Sequence, residues 1–227
     1  MPRHIIITGA NGNLGSAAVK KFLDLGDHVI AVANSGSNLG FAEGRSNFEL
    51  HAADLSDEQS SGSFFDEIIS LKEQIDCGLL LAGGFDVGTI ETTDTSTIRK
   101  MFAKNFETAY NAARPLYQHM LRNNYGRLVF VGARPALEPS AGKNSLAYSL
   151  SKSLLFQLAE LLNADAGNKD VIASVVVPGI LDTQPNRDAM PGADTSRWTS
   201  TTDVAELLAF ICSKQSNIVK QPVYKLY

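Results

Sequence analysis

Apolar, β-branched runs alternate along this chain with amphipathic stretches whose apolar positions return every three or four residues. The runs are Ile5-Ile6-Ile7, Val29 to Ala33, Phe48 to Ala52, Leu79-Leu80-Leu81, Leu128 to Val131, Val171 to Val177 and Val223 to Leu226. They are continuous rather than alternating, which predicts strands buried on both faces. Between them a helical pattern covers Leu14 to Leu25, Asp57 to Glu73, Thr95 to Asn123, Ala147 to Asp165 and Asp203 to Ser213, the last opening on a capping Asp203-Val204-Ala205-Glu206. Strand and helix in this alternation, joined by right-handed crossovers, predict an α/β fold. It is a doubly wound parallel Rossmann sheet of about seven strands with helices on both faces. The least regular stretch, Asp182 to Thr202, is rich in Pro, Asp, Asn and Thr and follows a strand end, so a substrate lid is expected near 182–202.

Composition narrows the picture without changing it. A chain of 227 residues with no internal repeat or break in composition predicts a single domain over 1–227. Twenty Lys and Arg against 24 Asp and Glu, without a run of like charge, argue against nucleic acid as a partner. The two cysteines, Cys77 and Cys212, each sit in an apolar stretch and read as small hydrophobes in a reducing compartment. The N-terminal apolar run is too short for a signal segment or a membrane span, so a cytoplasmic chain with no membrane partner is expected. His4, His28, His51 and His119 are scattered without ligand spacing, and no metal site is expected.

The chemistry-bearing residues fall at strand ends. Gly9, Gly12 and Gly15 follow the first strand and open the first helix. Glycines so placed allow a tight turn, close approach of backbone to a pyrophosphate, and close packing of helix on strand. The helix N-terminus adds free N–H groups and a favourable dipole. This predicts a dinucleotide site. Asp54, beside Leu55 at the end of the third strand, is either an acceptor for an adenine amino group or a neighbour of the next helix cap. At the end of the second strand stand Asn34 and Ser35, where a carboxylate would favour NAD(H) and repel a 2′-phosphate. Their neutrality favours NADP(H) over NAD(H). Tyr148 and Lys152 are four residues apart in a predicted helix and therefore on one face, where the ammonium favours a phenolate.

These motifs together resemble the short-chain dehydrogenase/reductase family along nearly the whole chain. The glycine turn, Asp54, Leu81-Ala82-Gly83, Asn105 in a long helix, Tyr148 to Lys152, and Pro178-Gly179 followed by Thr183 agree with that family in order and spacing. The resemblance implies an NAD(P)-dependent oxidoreductase acting on a small molecule. Tyr148 would be the general acid or base, Lys152 the group that holds the ribose and lowers the phenol pKa, and Asn105 the support of a proton-relay water. Cofactor contacts would come from Gly9, Asn11, Gly12, Asn13, Leu14, Gly15, Asn34, Ser35, Asp54, Leu55, Ala82 and Gly83, from Tyr148 and Lys152, and from Pro178, Gly179, Ile180 and Thr183 beside the nicotinamide. Family likeness also implies a homodimer or homotetramer. Phe102, Phe106, Leu155, Phe156 and Leu158 are open to either an interface or the core.

One departure bears on the substrate. The family's serine stands thirteen residues before the tyrosine, where this chain has Pro135, and the preceding strand end carries Gly132-Ala133. Ser145 is a candidate substitute or a helix cap. Within the family the likeness is greatest to dihydropteridine reductase-like members, which also lack the serine. The shared residues include Ala82-Gly83-Gly84 before an aromatic, Gly132-Ala133, Leu181-Asp182-Thr183, Asn186-Arg187, Met190-Pro191, Ala193-Asp194 and Trp198. Phe85, Asn34 and Asn105 depart from that pattern. Phe85 and Trp198 are open to roles as pocket aromatics or as packing. The alternatives are an ordinary carbonyl or alcohol reductase and a non-catalytic NADP(H) sensor on the same fold.

Overall fold

The computed structural model describes residues 2–33, 38–219 and 222–227. Its strands are β1 (His4–Thr8), β2 (His28–Ala33), β3 (Phe48–Ala52), β4 (Cys77–Leu80), β5 (Tyr125–Val131), β6 (Asp170–Pro178), β7 (Leu181–Asp182), β8 (Thr199–Ser200) and β9 (Val223–Leu226). Seven form one sheet in the order β3-β2-β1-β4-β5-β6-β9, with every neighbouring pair parallel. Each predicted apolar run lies in its strand, except that β4 stops one residue early, at Leu80. The α-helices are α1 (Asn13–Asp24), α2 (Glu58–Lys72), α3 (Thr95–Phe102), α4 (Thr108–Asn123), α5 (Arg134–Leu137), α6 (Pro139–Gly142), α7 (Leu146–Ala166), α8 (Gln184–Ala189) and α9 (Thr201–Ile211).

The period of two along each strand divides the core into two layers. Ile6, Ile30, Leu80, Phe130 and Val175 pack against Phe65 of α2, Leu116 of α4 and Leu155 of α7. Ile5, Ile7, Val29, Leu79 and Val176 pack against Phe22 of α1 and Leu208 of α9. Cys77 and Cys212 are free thiols buried in the second layer. Continuous apolar strands are thus explained by helices on both faces.

Three local expectations are corrected. The capping residue of α9 is Ser200, whose Oγ accepts from Asp203 N–H at 3.0 Å; Asp203 sits inside the first turn, where its charge suits the helix dipole. The predicted helix Thr95 to Asn123 is interrupted by a π turn over Ala103–Glu107. The stretch 182–202 is not structureless. It holds α8, a 3₁₀ turn over Thr195–Arg197 and the β7-β8 pair, and an Arg187 to Asp182 ion pair at 2.6 Å ties its start.

Strand order reverses between β1 and β4. From β1 the chain winds outward to β3, and from β4 it winds the other way to β9, so the helices after these strands leave a crevice above the carboxyl ends of the central pair.

Candidate active site

The crevice has a volume of about 450 Å³ and is lined by Gly9, Asn11 and Gly12, by Val32 and Ala33, by Ala53 to Ser56, by Leu81 to Gly83, and by Lys100, Ala103, Lys104 and Thr108. Its glycines fit a dinucleotide. Gly9 takes φ +64°, and a Cβ there would stand 2.8 Å from Ala82 N. A Cβ on Gly15 would stand 2.1 Å from Gly9 O, so this glycine is what lets α1 pack directly on the turn. Gly12 is the N-cap of α1, with no side chain capping the free N–H groups and no acid in the first turn. An anionic group finds donors and a favourable dipole there. The opposite rim is fixed by Ala82 N–H donating to Thr8 Oγ1 at 3.2 Å. At the β3 end, Asp54 is exposed, and its Oδ1 accepts from Ser56 N–H at 2.9 Å and Ser56 Oγ at 2.6 Å, which holds the carboxyl below its ordinary range.

The chemical end is assembled by α7 and the π turn. Lys152 is buried, and its Nζ donates to Val131 O, the last carbonyl of β5, at 2.8 Å. Burial pushes this ammonium down to about 8 and the Tyr148 phenol up to about 12. The Phe85 ring stands edge-on to Tyr148 with centroids 5.0 Å apart, although Phe85 itself is 65% exposed. Asn105 is fully buried in the π turn. Its Oδ1 accepts from Gly84 N–H at 2.8 Å, and its Nδ2 donates to Ser151 Oγ at 3.0 Å. Ser151 Oγ in turn donates to Tyr148 O at 2.8 Å. A Cβ on Gly83 would meet Asn105 Oδ1 at 2.7 Å and Lys152 Nζ at 3.2 Å, so Gly83, Asn105 and Lys152 converge at one corner of the crevice.

Of the sequence-predicted residues, Gly9, Asn11, Gly12, Asp54, Leu55, Ala82 and Gly83 line the crevice and Asn105 and Lys152 meet at its Gly83 corner, while others stand apart. Asn13, Leu14 and Gly15 belong to the first turn of α1 rather than to the crevice lining. Pro178 is the last residue of β6, and Gly179 and Ile180 follow it. Gly179 N–H donates to Thr199 Oγ1 at 3.2 Å, and Thr183 caps α8 by accepting from Asn186 N–H at 3.4 Å. Asn34 and Ser35 lie outside the described residues. Ser145 precedes α7 but makes no side-chain cap; its Oγ lies 3.3 Å from Ser149 Oγ. Gly132 and Ala133 are buried at the end of β5 and bring no hydroxyl. Sequence reasoning missed Ser151, which nothing in the local pattern distinguishes, and Lys100 and Lys104, whose spacing of four on a helix was the available signal.

A buried ammonium at the Gly83 corner of a glycine-lined crevice, with a phenol one turn earlier on the same helix, fits an oxidoreductase-type site. The short chain dehydrogenase family model matches residues 3–193. A 2-(R)-hydroxypropyl-CoM dehydrogenase of Xanthobacter autotrophicus is 27% identical over 196 residues, covering 81% of this chain and 76% of its own. A dihydropteridine reductase of Dictyostelium discoideum is 26% identical over 211 residues, covering 92% and 87%. Among solved structures, a protein of Beutenbergia cavernae provisionally assigned as an NAD(P)-dependent gluconate 5-dehydrogenase, with NADP bound at low occupancy, superposes with a TM-score of 0.88 at 22% identity, over 99% of this chain and 94% of that one. The chain belongs to the short-chain dehydrogenase/reductase family, whose members are nicotinamide-dependent oxidoreductases.

Proposed function

We propose that the protein is a reductase that takes NADPH in preference to NADH and reduces an electron-poor small molecule, of the quinonoid dihydropterin or quinone class, with Tyr148 as the proton donor. The observation that carries this reading is the buried Lys152 and the half-buried Tyr148, one turn apart on α7, beside a strand end, Gly132-Ala133, that offers no hydroxyl to a reacting oxygen. Bound in the crevice, a reduced nicotinamide supplies the hydride. Tyr148, pushed up to about 12 by burial, holds its proton at neutral pH and donates it to the acceptor. Lys152, one turn along α7, is the cation that balances the phenolate left behind, and it is held toward the Gly83 corner by its bond to Val131 O. Asn105 fixes Gly84 and Ser151 and so keeps that corner in register.

A simple ketone needs a donor on its oxygen to accept hydride, and loss of one such donor costs on the order of a hundred- to thousandfold in rate. A quinonoid dihydropterin is already a strong electrophile and tolerates the loss. The Dictyostelium relative named dihydropteridine reductase supports this substrate class. The neutral Asn34 and the NADP in the Beutenbergia structure support the cofactor preference. We place the lid at 182–202, the working form as a homodimer or homotetramer and the location in the cytosol. The rival reading, an ordinary carbonyl or alcohol reductase, is favoured by the name of the Xanthobacter relative.

The test follows reduced-cofactor absorbance while ketones, quinones and quinonoid pterins are offered. Electron-poor acceptors should be turned over fastest, and NADPH should bind more tightly than NADH. Tyr148→Phe should lower turnover on the order of a hundredfold with little change in cofactor affinity. Ala133→Ser should raise ketone reduction severalfold and leave the electron-poor substrates nearly unchanged. Efficient ketone turnover by the unaltered protein, with none on a quinonoid pterin, would move it to the carbonyl reductases.

A further inference from the structure

Across the crevice from the glycine turn stand two lysines that the chemistry above does not use. Lys100 and Lys104 are one helical turn apart, so their side chains share a face, and both line the same crevice as Gly9, Asn11 and Gly12. Like charges at this spacing repel each other, and no ion pair with a described residue relieves either ammonium. The stem of Lys104 also lies close over Gly84. A Cβ on Gly84 would stand 2.6 Å from Lys104 Cδ and Cε and 2.8 Å from Nζ, so the bare backbone of Gly84 is what allows the lysine stem to lie across it. The carboxylate in the lining, Asp54, sits at the other end, engaged by Ser56.

We propose that Lys100 and Lys104 bind the pyrophosphate of the dinucleotide from the side opposite the N-terminus of α1. This rests on the reading of the crevice as a nicotinamide-cofactor site. Position along the helix selects the pyrophosphate over a 2′-phosphate. The adenine end is marked by Asn111 Nδ2 donating to Leu55 O at 3.0 Å, with Thr108 in the lining one turn earlier. Lys104 and Lys100 lie progressively farther from that end, Lys104 against Gly84, toward the Gly83 corner. A 2′-phosphate belongs beside the adenine ribose at the end of β2, whereas the pyrophosphate lies between that ribose and the Gly83 corner, over the free N–H groups of α1 and toward the side on which the two lysines stand.

Binding of NADPH, NADH and adenosine to the unaltered protein, Lys100→Gln, Lys104→Gln and the double variant, measured by calorimetry at low and high salt, tests this. Both lysines are exposed, so the fold should survive, and circular dichroism checks it. Each single change should weaken NADPH and NADH alike, on the order of three- to tenfold at low salt, with a larger loss in the double variant. The double variant should also lose most of the salt dependence, while adenosine is unaffected. Weakening of NADPH alone would overturn the pyrophosphate assignment in favour of the 2′-phosphate, and unchanged affinity for both would overturn any phosphate role. Failure of the unaltered protein to bind either dinucleotide would instead overturn the cofactor reading itself.

Discussion

At the scale of single residues, Lys152 carries the clearest conflict between function and stability. Its ammonium is buried and held down to about 8, whereas an unfolded lysine titrates near 10.5. Below pH 8 the folded protein keeps a charge in a poor solvent. Between these two values the unfolded chain binds more protons than the folded one, so the contribution of this group to stability rises with pH across that window. Lys152→Met should therefore stabilise the fold at pH 7 by about 1–3 kcal/mol, less whatever the lost bond to Val131 O contributed, while abolishing turnover. That corresponds to roughly 2–4 °C in Tm per kcal/mol for a chain of this size, read by calorimetry, and a lower Tm would refute the assignment. Activity has the opposite sign. Reductive kcat/KM should fall as pH passes about 8 and the ammonium is lost, and Lys152→Arg should move that limb upward because guanidinium keeps its proton.

At the scale of elements, the π turn over Ala103–Glu107 is the device that turns Asn105 inward. Its cause is tertiary: Gly84 N–H and Ser151 Oγ, from two other segments, bond the same buried amide. This is why the periodicity of Thr95 to Asn123 reads as one helix. The pattern of apolar positions records which face is buried, and through the π turn buried Met101, Asn105 and Ala109 recur every fourth residue, a spacing that an ordinary helix also shows over so short a span. Register at α9 escaped for a related reason, since Ser200 and Asp203 are both capping residues and local sequence does not rank them. The glycine turn was legible because its spacing follows from steric demands that only glycine meets, as the close approaches at Gly9 and Gly15 bear out. Asn105→Leu should leave the half-buried Gly84 N–H and the buried Ser151 Oγ without their partner and cost about 1 kcal/mol in urea unfolding at unchanged m-value. Unchanged stability would mean that the π turn is held by something else.

At the scale of the whole molecule, the alternation of apolar runs was enough to specify the sheet and its two core layers, yet not what covers the outer face of the helices. Of the five apolar residues open to either core or interface, Leu155 and Leu158 are core, while Phe102, Phe106 and Phe156 are only half-buried. Phe102, Phe106 and Tyr110 form a ladder of rings, 5.1 Å and 6.0 Å between successive centroids, that runs from α3 through the π turn into α4. Along α7, Leu150, Leu154 and Leu161 are exposed at 50%, 37% and 58%. Exposed apolar residues repeated along one helix are what a two-fold contact with a second copy would cover. The proposed homo-oligomer makes the outcome specific. The unaltered chain should sediment as a dimer or tetramer at micromolar concentration, and Leu154→Glu with Leu161→Glu should yield a monomer. Each charge would be buried without a partner in the interface but solvated in the free chain. NADPH affinity should survive in that monomer, because a single copy of the chain already forms the crevice. A monomeric unaltered protein would sink the oligomer, and a dissociated variant that no longer binds cofactor would show that the interface supports the crevice.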